Sequence, residues 1–352
     1  MEERGVNVDH ATLNRWVIRY SPTIAVKAIS QKRKTNRSWR MDETGSVAIL
    51  EINGKIMNMV KAVKKEPVKI VQAKSVTAID SPKPFIKWVG GKRQILPELI
   101  KRMPEKVASY YEPFIGGGAL LWSLHNKKVE SIVISDYNHE LSNLYQVVKS
   151  HPERLIESLK KHKNTEYYFY ELRRIDREKS YQKISSIKKA SRFIYINKTG
   201  FNGLYRVNMK GENNVPFGRY SNPKIVDEIN LWRCSNFLQD VKVMNGDFEC
   251  IKSLIDQDSF VYLDPPYIPL SSTSNFTSYT EQGFDIDMQF RLREFCDYID
   301  SVGAKFMLSN SSSQLVYELY ESYNVDIVMA SRVVNCKGTG RGKIEELIIR
   351  NY

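Results

Sequence analysis

Cysteine and histidine are scarce in this 352-residue chain, and neither is arranged for chemistry. Cys234, Cys250, Cys296 and Cys336 lie far apart, with no Cys-x-x-Cys pair. That spacing argues against a zinc ribbon or a disulfide framework and for a reducing compartment, the cytoplasm. His10, His125, His139, His151 and His162 show no HExxH or paired ligand spacing, so no metal is expected. Long apolar runs are missing as well. None approaches the roughly 18 residues of a membrane span, and the opening MEERGVNVDH lacks the apolar core of a signal peptide. Nucleotide fingerprints stay incomplete. Gly90 and Gly91 are followed by Lys92 and Arg93 rather than by the GxxxxGK[ST] pattern, and Gly116 to Gly118 are not completed to GxGxxG, because position 121 is Leu121. A P-loop and a dinucleotide site are thereby disfavoured.

What is present is positive charge and an α/β rhythm. The net charge is +13, compatible with a polyanionic partner. Residues 1–80 carry 15 Lys+Arg against 8 Asp+Glu, so the leading quarter is the most basic part. Asp9 is placed to cap a helix with Leu13, Trp16, Val17 and Tyr20 on one face. Residues 66–84 hold three prolines without clean periodicity and read as a linker, placing a domain boundary near residue 80.

The chain is organised around FVYLDPPY, Phe260 to Tyr267. Its apolar half reads as a buried strand, and Pro265 and Pro266 force the chain out of the sheet. Asp264 therefore stands at a strand's carboxyl end, the edge where open α/β sheets bind ligands. The Asp264 carboxylate and the Pro265 carbonyl form a pair of acceptors suited to an exocyclic amino group, and Tyr267 offers a face for ring stacking. Upstream, a strand ending at Phe114 leads into Gly116 to Gly118 and a helix. The next strand ends in Asp136, twenty residues after Gly116, where an acid can accept from ribose hydroxyls. Residues 138–162 read as helical, with Leu141, Leu144, Tyr145, Val148, Leu155, Ile156 and Leu159 facing the core. Residues 163–235 interrupt the alternation with aromatics, Arg and amides on Gly and Pro turns, a composition suited to bases and phosphates. The sheet then resumes. Strands at 110–114, 132–136 and 241–247 and the four that follow make seven, with an amphipathic helix carrying Met288, Leu292, Phe295 and Ile299. The expected fold is α/β, a doubly wound seven-stranded sheet with a mainly helical insertion.

Two resemblances add to this reading. RGVNVDHATLNRWVIRYSP and SWRMDET, with a weaker echo in NGKIMNMVKAVKK, resemble the small DDE transposases of the IS-six family. That likeness would make Asp42 the first of three metal-binding carboxylates. The later ones are missing, and one carboxylate cannot hold a two-metal site, so residues 1 to about 70 read as a truncated fragment, inert in preference to one that retains DNA binding.

From Pro84 to Tyr352, KWVGGKRQ, EPFIGGGAL, ISDYN, FNGLYRVN, NVPFGRY, GDFE, DPPYIPLS, NFTSYT and GRGKIEELI follow the order of the Dam-type DNA adenine-N6 methyltransferases. The likeness is greatest to the GATC-modifying methylases of Dpn-type restriction systems. It implies a methyltransferase sheet, S-adenosylmethionine as methyl donor, and Asp264, Pro265, Pro266 and Tyr267 as the catalytic motif. Donor binding would fall to Lys87, Trp88, Gly91, Lys92, Phe114, Gly116, Gly118, Asp136, Asp247, Phe248 and Asp264. Double-stranded DNA would be met by Lys87, Phe201, Asn202, Leu204, Arg206, Asn214, Pro216, Arg219 and Tyr220. The implied domains are a basic extension at 1–80, a catalytic domain of 81–150 with 240–352, and a target-recognition domain at 151–239, in a monomer without an obligate protein partner. The departures are Phe201, where some members carry Tyr, and the loop NCKGTGRGK. The DPPY motif also occurs in cytosine-N4 and RNA guanine-N2 methylases, so the tetrapeptide alone does not choose the amino group; the FNGLYRVN and NVPFGRY insertion favours DNA adenine.

Overall fold

A computed structural model describes residues 81–267, 284–331 and 343–352, together with short strands between residues 39 and 72. The Asp9-capped helix, Asp42, the segment NFTSYT and the loop NCKGTGRGK up to its last residue, Lys343, lie outside the described residues. Two compact units divide the chain, Met1–Lys69 and Ile70–Tyr352. In the first, β1 (Trp39–Met41), β2 (Ala48–Ile52) and β3 (Lys55–Asn58) pair antiparallel in sequence order.

The second unit is built on one sheet. Its strands are β4 (Val71–Gln72), β5 (Ser109–Glu112), β6 (Ser131–Asp136), β7 (Val241–Asn245), β8 (Ser259–Leu263), β9 (Lys305–Ser311), β10 (Asn324–Ser331) and β11 (Lys343–Arg350). They lie in the order β4-β10-β11-β9-β8-β5-β6-β7. All seven strands expected from the sequence are present, and the two-residue β4 is added at one edge. The β5, β6, β7, β8 and β9 pairings are parallel, while β11 runs antiparallel to both β9 and β10. Strand order reverses between β5 and β8, and at such a switch point the loops leaving the two strands part to opposite faces and open a crevice.

Every residue of β8 is buried, which explains its unbroken apolar reading. Alternation along the strands separates two cores. Tyr110, Ile132, Ile134, Phe260 and Tyr262 face one helical layer, while Tyr111, Val133, Val261 and Leu263 face the other. The first layer holds α1 (Leu96–Arg102), α2 (His139–Ser150), α3 (Pro152–Leu159), α5 (Ser186–Thr199) and α6 (Glu228–Leu238), with α4 (Glu166–Arg174) packed on α5. The second holds α7 (Ile286–Ser301) and α8 (Gln314–Leu319).

Three boundaries differ from the sequence reading: the strand expected over 241–247 ends at Asn245, and Asp247 instead caps the short turn that follows. The strand before the glycine loop stops at Glu112 because Pro113 has no N–H to continue the ladder. The single helix expected over 138–162 is two, broken at His151, where Pro152 disfavours a helical conformation for the residue before it. Every core position named for those helices is nonetheless buried. On α7, Leu292, Phe295 and Ile299 are fully buried and Met288 packs against the same cluster. No helix among the described residues is long and apolar enough to cross a membrane.

Candidate active site and nucleic-acid interface

The two prolines end β8 and leave Asp264 at the switch point. Its Oδ1 lies 2.8 Å from Nζ of Lys92, which also donates to the Gly90 carbonyl at 2.5 Å. Lys92 is only 4% exposed, because the tight turn closed by Gly91 N–H on the Trp88 carbonyl folds it inward. The same ammonium lies 4.6 Å above the centre of the Tyr267 ring, a geometry favoured by the ring's negative face. The Tyr267 hydroxyl donates to Glu346 on β11 at 3.0 Å.

Burial raises the Asp264 carboxyl to about 6, with Lys92 holding it down and Glu346 pushing it further up. Burial pulls Lys92 the other way, but Asp264 and Glu346 outweigh it and leave the ammonium above its ordinary value. The second proline's carbonyl is already engaged. Gln289, fully buried, donates to Pro266 at 3.3 Å and accepts from Asn310 at 3.2 Å. Gln289 and Glu346 are contacts of the DPPY segment that the sequence does not announce. GRGKIEELI marks the right strand, but only the antiparallel register of β11 selects which of its two adjacent glutamates reaches Tyr267.

Across the switch point, the glycine loop leaves β5. Gly116 (φ +45°) donates its N–H to Asp136 Oδ2 at 3.1 Å, and Asn138 N–H donates to Oδ1 at 2.9 Å. A carboxylate accepts about four hydrogen bonds, so Asp136 retains capacity for two hydroxyl donors. Burial lifts it to about 6 against the pull of those two backbone donors. A Cβ at Gly116 would meet the Trp88 ring at 2.6 Å, and one at Gly118 (φ +67°) would meet the Tyr145 hydroxyl at 2.8 Å. The loop therefore needs glycine on grounds of both space and conformation. Trp88 itself stacks on Tyr205 and Phe193, with ring centres 5.5 and 6.3 Å away, and thereby ties the glycine loop to the insertion. Behind the loop, Glu112 accepts from Tyr110 at 2.7 Å, and burial pushes its carboxyl well up.

Asp247 and Phe248 begin a short 3-10 turn after β7. The Phe248 ring is 2% exposed, stacked on Phe114 with centres 5.5 Å apart and flanked by Phe284 and Phe295. It is a wall within the core, and what this residue can offer a ligand is its backbone N–H, which as the first of a helical turn has no partner within that turn.

Short contacts tie several of the residues read as DNA contacts to one another. Asn197, 2% exposed near the end of α5, accepts from the Lys87 N–H at 2.8 Å and donates to the carbonyls of Lys87 and Gly203 at 2.8 and 2.9 Å. That stitch brings Lys87 beside the turn of Phe201 and Asn202, where Asn202 adopts φ +55° and Phe201 is half exposed. Phe201 N–H bonds to the Pro216 carbonyl at 2.8 Å. Val207 bridges Asn213, drawing Leu204 and Arg206 alongside Asn214. Arg206 donates Nε to the Asn214 side chain at 2.6 Å and Nη2 to its carbonyl at 3.1 Å, an arrangement that leaves Nη1 uncommitted. Lys87 Nζ sits 5.4 Å from the Tyr220 ring centre, and Arg219 pairs with Glu166 at 3.4 Å.

Comparison with known proteins gives this arrangement a context. Residues 88–334 match the family described as D12 class N6 adenine-specific DNA methyltransferase. The type II methyltransferase M1.LlaDCHI of Lactococcus lactis subsp. cremoris is 49% identical over 275 residues, spanning 77% of this chain and 95% of that protein. M.MjaIII, a type II methyltransferase of Methanocaldococcus jannaschii, is 46% identical over 77% of this chain and 99% of its own length. The DNA adenine methylase of Escherichia coli K12 is 30% identical over 75% of this chain and 93% of its own.

Proposed function

Since the chain belongs to the D12 class N6 adenine-specific DNA methyltransferases, we propose that it methylates a flipped-out adenine within GATC, using S-adenosylmethionine. The observation that supports this reading is the order of the strands: Asp264 and Tyr267 follow β8, the glycine loop follows its parallel neighbour β5, and Asp136 ends β6 on the other side of β5.

The donor's fit rests on the residues present. The glycine loop turns at positive φ against Trp88 and Tyr145 with no side chains of its own, Asp136 keeps two acceptor positions for a ribose, and Asp247 followed by the Phe248 N–H offers an acceptor and a donor. S-adenosylmethionine, when bound, supplies an electrophilic methyl group.

The target adenine must leave the helix, because its N6 edge is inaccessible in a duplex; flipping costs about a few kcal/mol. Asp264 and the Pro265 carbonyl then accept the two N6 hydrogens, withdrawing the nitrogen lone pair from conjugation with the ring. Gln289 holds the Pro266 carbonyl and so fixes the turn that presents its neighbour. Tyr267, oriented by Glu346, stacks on the purine. No covalent enzyme intermediate is required, since holding nucleophile and methyl in line supplies much of the acceleration. Residues 151–239 act as the target-recognition module, with Arg206 reading a guanine edge through the guanidinium atoms that Asn214 leaves available. The partner is double-stranded DNA, the working form a monomer, the setting the cytoplasm, and residues 1–80 a transposase-derived extension without catalytic part.

The test is expression in a methylation-deficient bacterial host, followed by digestion of its DNA with an endonuclease that cuts only unmethylated GATC. Protection by the wild type, lost in Asp264→Ala while donor binding survives, is the expected result. Complete cleavage with soluble wild-type protein present would remove GATC from the reading.

A further inference from the structure

Arg291, on the first turns of α7, makes a cluster that the catalytic reading does not use. Its Nη2 and Nη1 donate to Asp247 Oδ1 and Oδ2 at 2.7 and 3.0 Å. Its Nε donates to Glu249 Oε2 at 3.0 Å, and Nη2 reaches the same oxygen. The guanidinium carbon lies 4.9 Å from the centre of the Phe248 ring. One arginine therefore holds the residue before Phe248, the residue after it, and the ring between them.

An ordinary surface ion pair would contribute little, and Arg291 and Asp247 are 38% and 30% exposed. Geometry sets this pair apart. A two-pronged contact from a planar guanidinium fixes the plane of the carboxylate as well as its charge, which a lysine's point charge cannot do. Asp247 Oδ1 accepts from Arg291 and from the Glu249 N–H at 3.0 Å, and Oδ2 accepts from Arg291. Of about four acceptor positions, one is left, on Oδ2. The next donor along the chain is the Phe248 N–H, at the first position of the turn that Asp247 caps. One acceptor next to one donor matches the edge of a 6-aminopurine, where N6 donates and N1 accepts. A 6-oxopurine shows the inverse pattern and would set like against like.

We propose that Arg291 is a positioning residue for donor recognition, orienting Asp247 so that its single remaining acceptor selects an amino over a keto purine. This rests on the reading above, in which Asp247 and Phe248 meet the donor's adenine. The guanidinium does not touch the donor; it acts by denying the carboxylate rotation and by occupying the acceptor positions that water would otherwise take.

Calorimetric titration of the full chain with S-adenosylhomocysteine and with its 6-oxo counterpart, S-inosylhomocysteine, tests this without turnover. The wild type is expected to prefer the amino form by about ten- to a hundredfold, the range for a hydrogen bond to a charged group. Arg291→Met and Arg291→Lys should both bring that preference to within about threefold of unity, because neither restores the fork. Equal weakening of both ligands in the two variants would make Arg291 a structural residue and overturn the proposal, as would an unchanged preference in Arg291→Lys. Asp247→Ala separates the two levels. If it abolishes the preference while both Arg291 variants keep it, the adenine reading stands and the role of Arg291 falls. A wild type without preference would remove Asp247 from the donor and overturn both.

Discussion

Asp264 and Lys92 form an ion pair in which each group sets the other's behaviour. Burial holds the Asp264 carboxyl near 6, and the adjacent ammonium keeps it from rising further. An acceptor for the N6 hydrogens works best ionised, so activity should fall as pH drops through about 6. Removing the cation leaves desolvation and Glu346 unopposed, so Lys92→Met should move this acid limb to higher pH. The measurement is kcat/KM for DNA between pH 5 and 9 with donor saturating, which silences the separate titration of Asp136. A limb that stays in place in Lys92→Met would show that another group governs it. Lys92 was legible as part of the KWVGGKRQ motif. Its pairing with Asp264 was not, since 172 positions of chain separate the two and only the β5–β8 switch point closes that gap.

Helix α5 is the element on which the insertion hangs. Its outer end offers Asn197 to Lys87 on one side and Gly203 on the other, so a single buried amide registers the segment before the glycine loop against the turn that carries Phe201 and Asn202. Asn197→Ala leaves one N–H and two carbonyls without their partner. A loss of about 1–3 kcal/mol of stability is expected for a buried polar group stranded in this way, read from urea unfolding. KM for DNA should rise while donor affinity is kept, because the stitch touches the face proposed to meet DNA and not Asp136. Equal losses for DNA and donor would assign Asn197 to the core alone. Nothing in the helical periodicity of α5 announces this role. Asn197 lies within a run of nine positions of which eight are buried, so the helix has no polar face there to read. The helix break at Pro152, by contrast, has a local signal in the proline itself, masked by apolar spacing that continues through it.

At the scale of the molecule, the insertion and the sheet share one interior. Ala190, Phe193 and Ile194 of α5 belong to the same buried cluster as Tyr110 and Phe260 of the central strands, and Trp88 stacks on Phe193 and Tyr205. The insertion and the sheet are therefore expected to unfold together. Hydrogen exchange should give backbone amides at 190–198 and those of β8 the same limiting free energy; a separate, lower class for α5 would show an insertion that opens by itself. The sequence by itself determined the seven strands, their buried faces, the acid at the end of β8, the glycine loop and the acid of β6, because each is a local matter of periodicity, proline stops and backbone room. Ordered motifs carried the family. Tertiary structure alone decided that Glu346 orients Tyr267, that Gln289 holds Pro266, that Phe248 is a buried wall and that Arg291 grips Asp247. Those pairings depend on strand order, antiparallel register and helix placement, which bring together side chains whose separation along the chain leaves no local pattern.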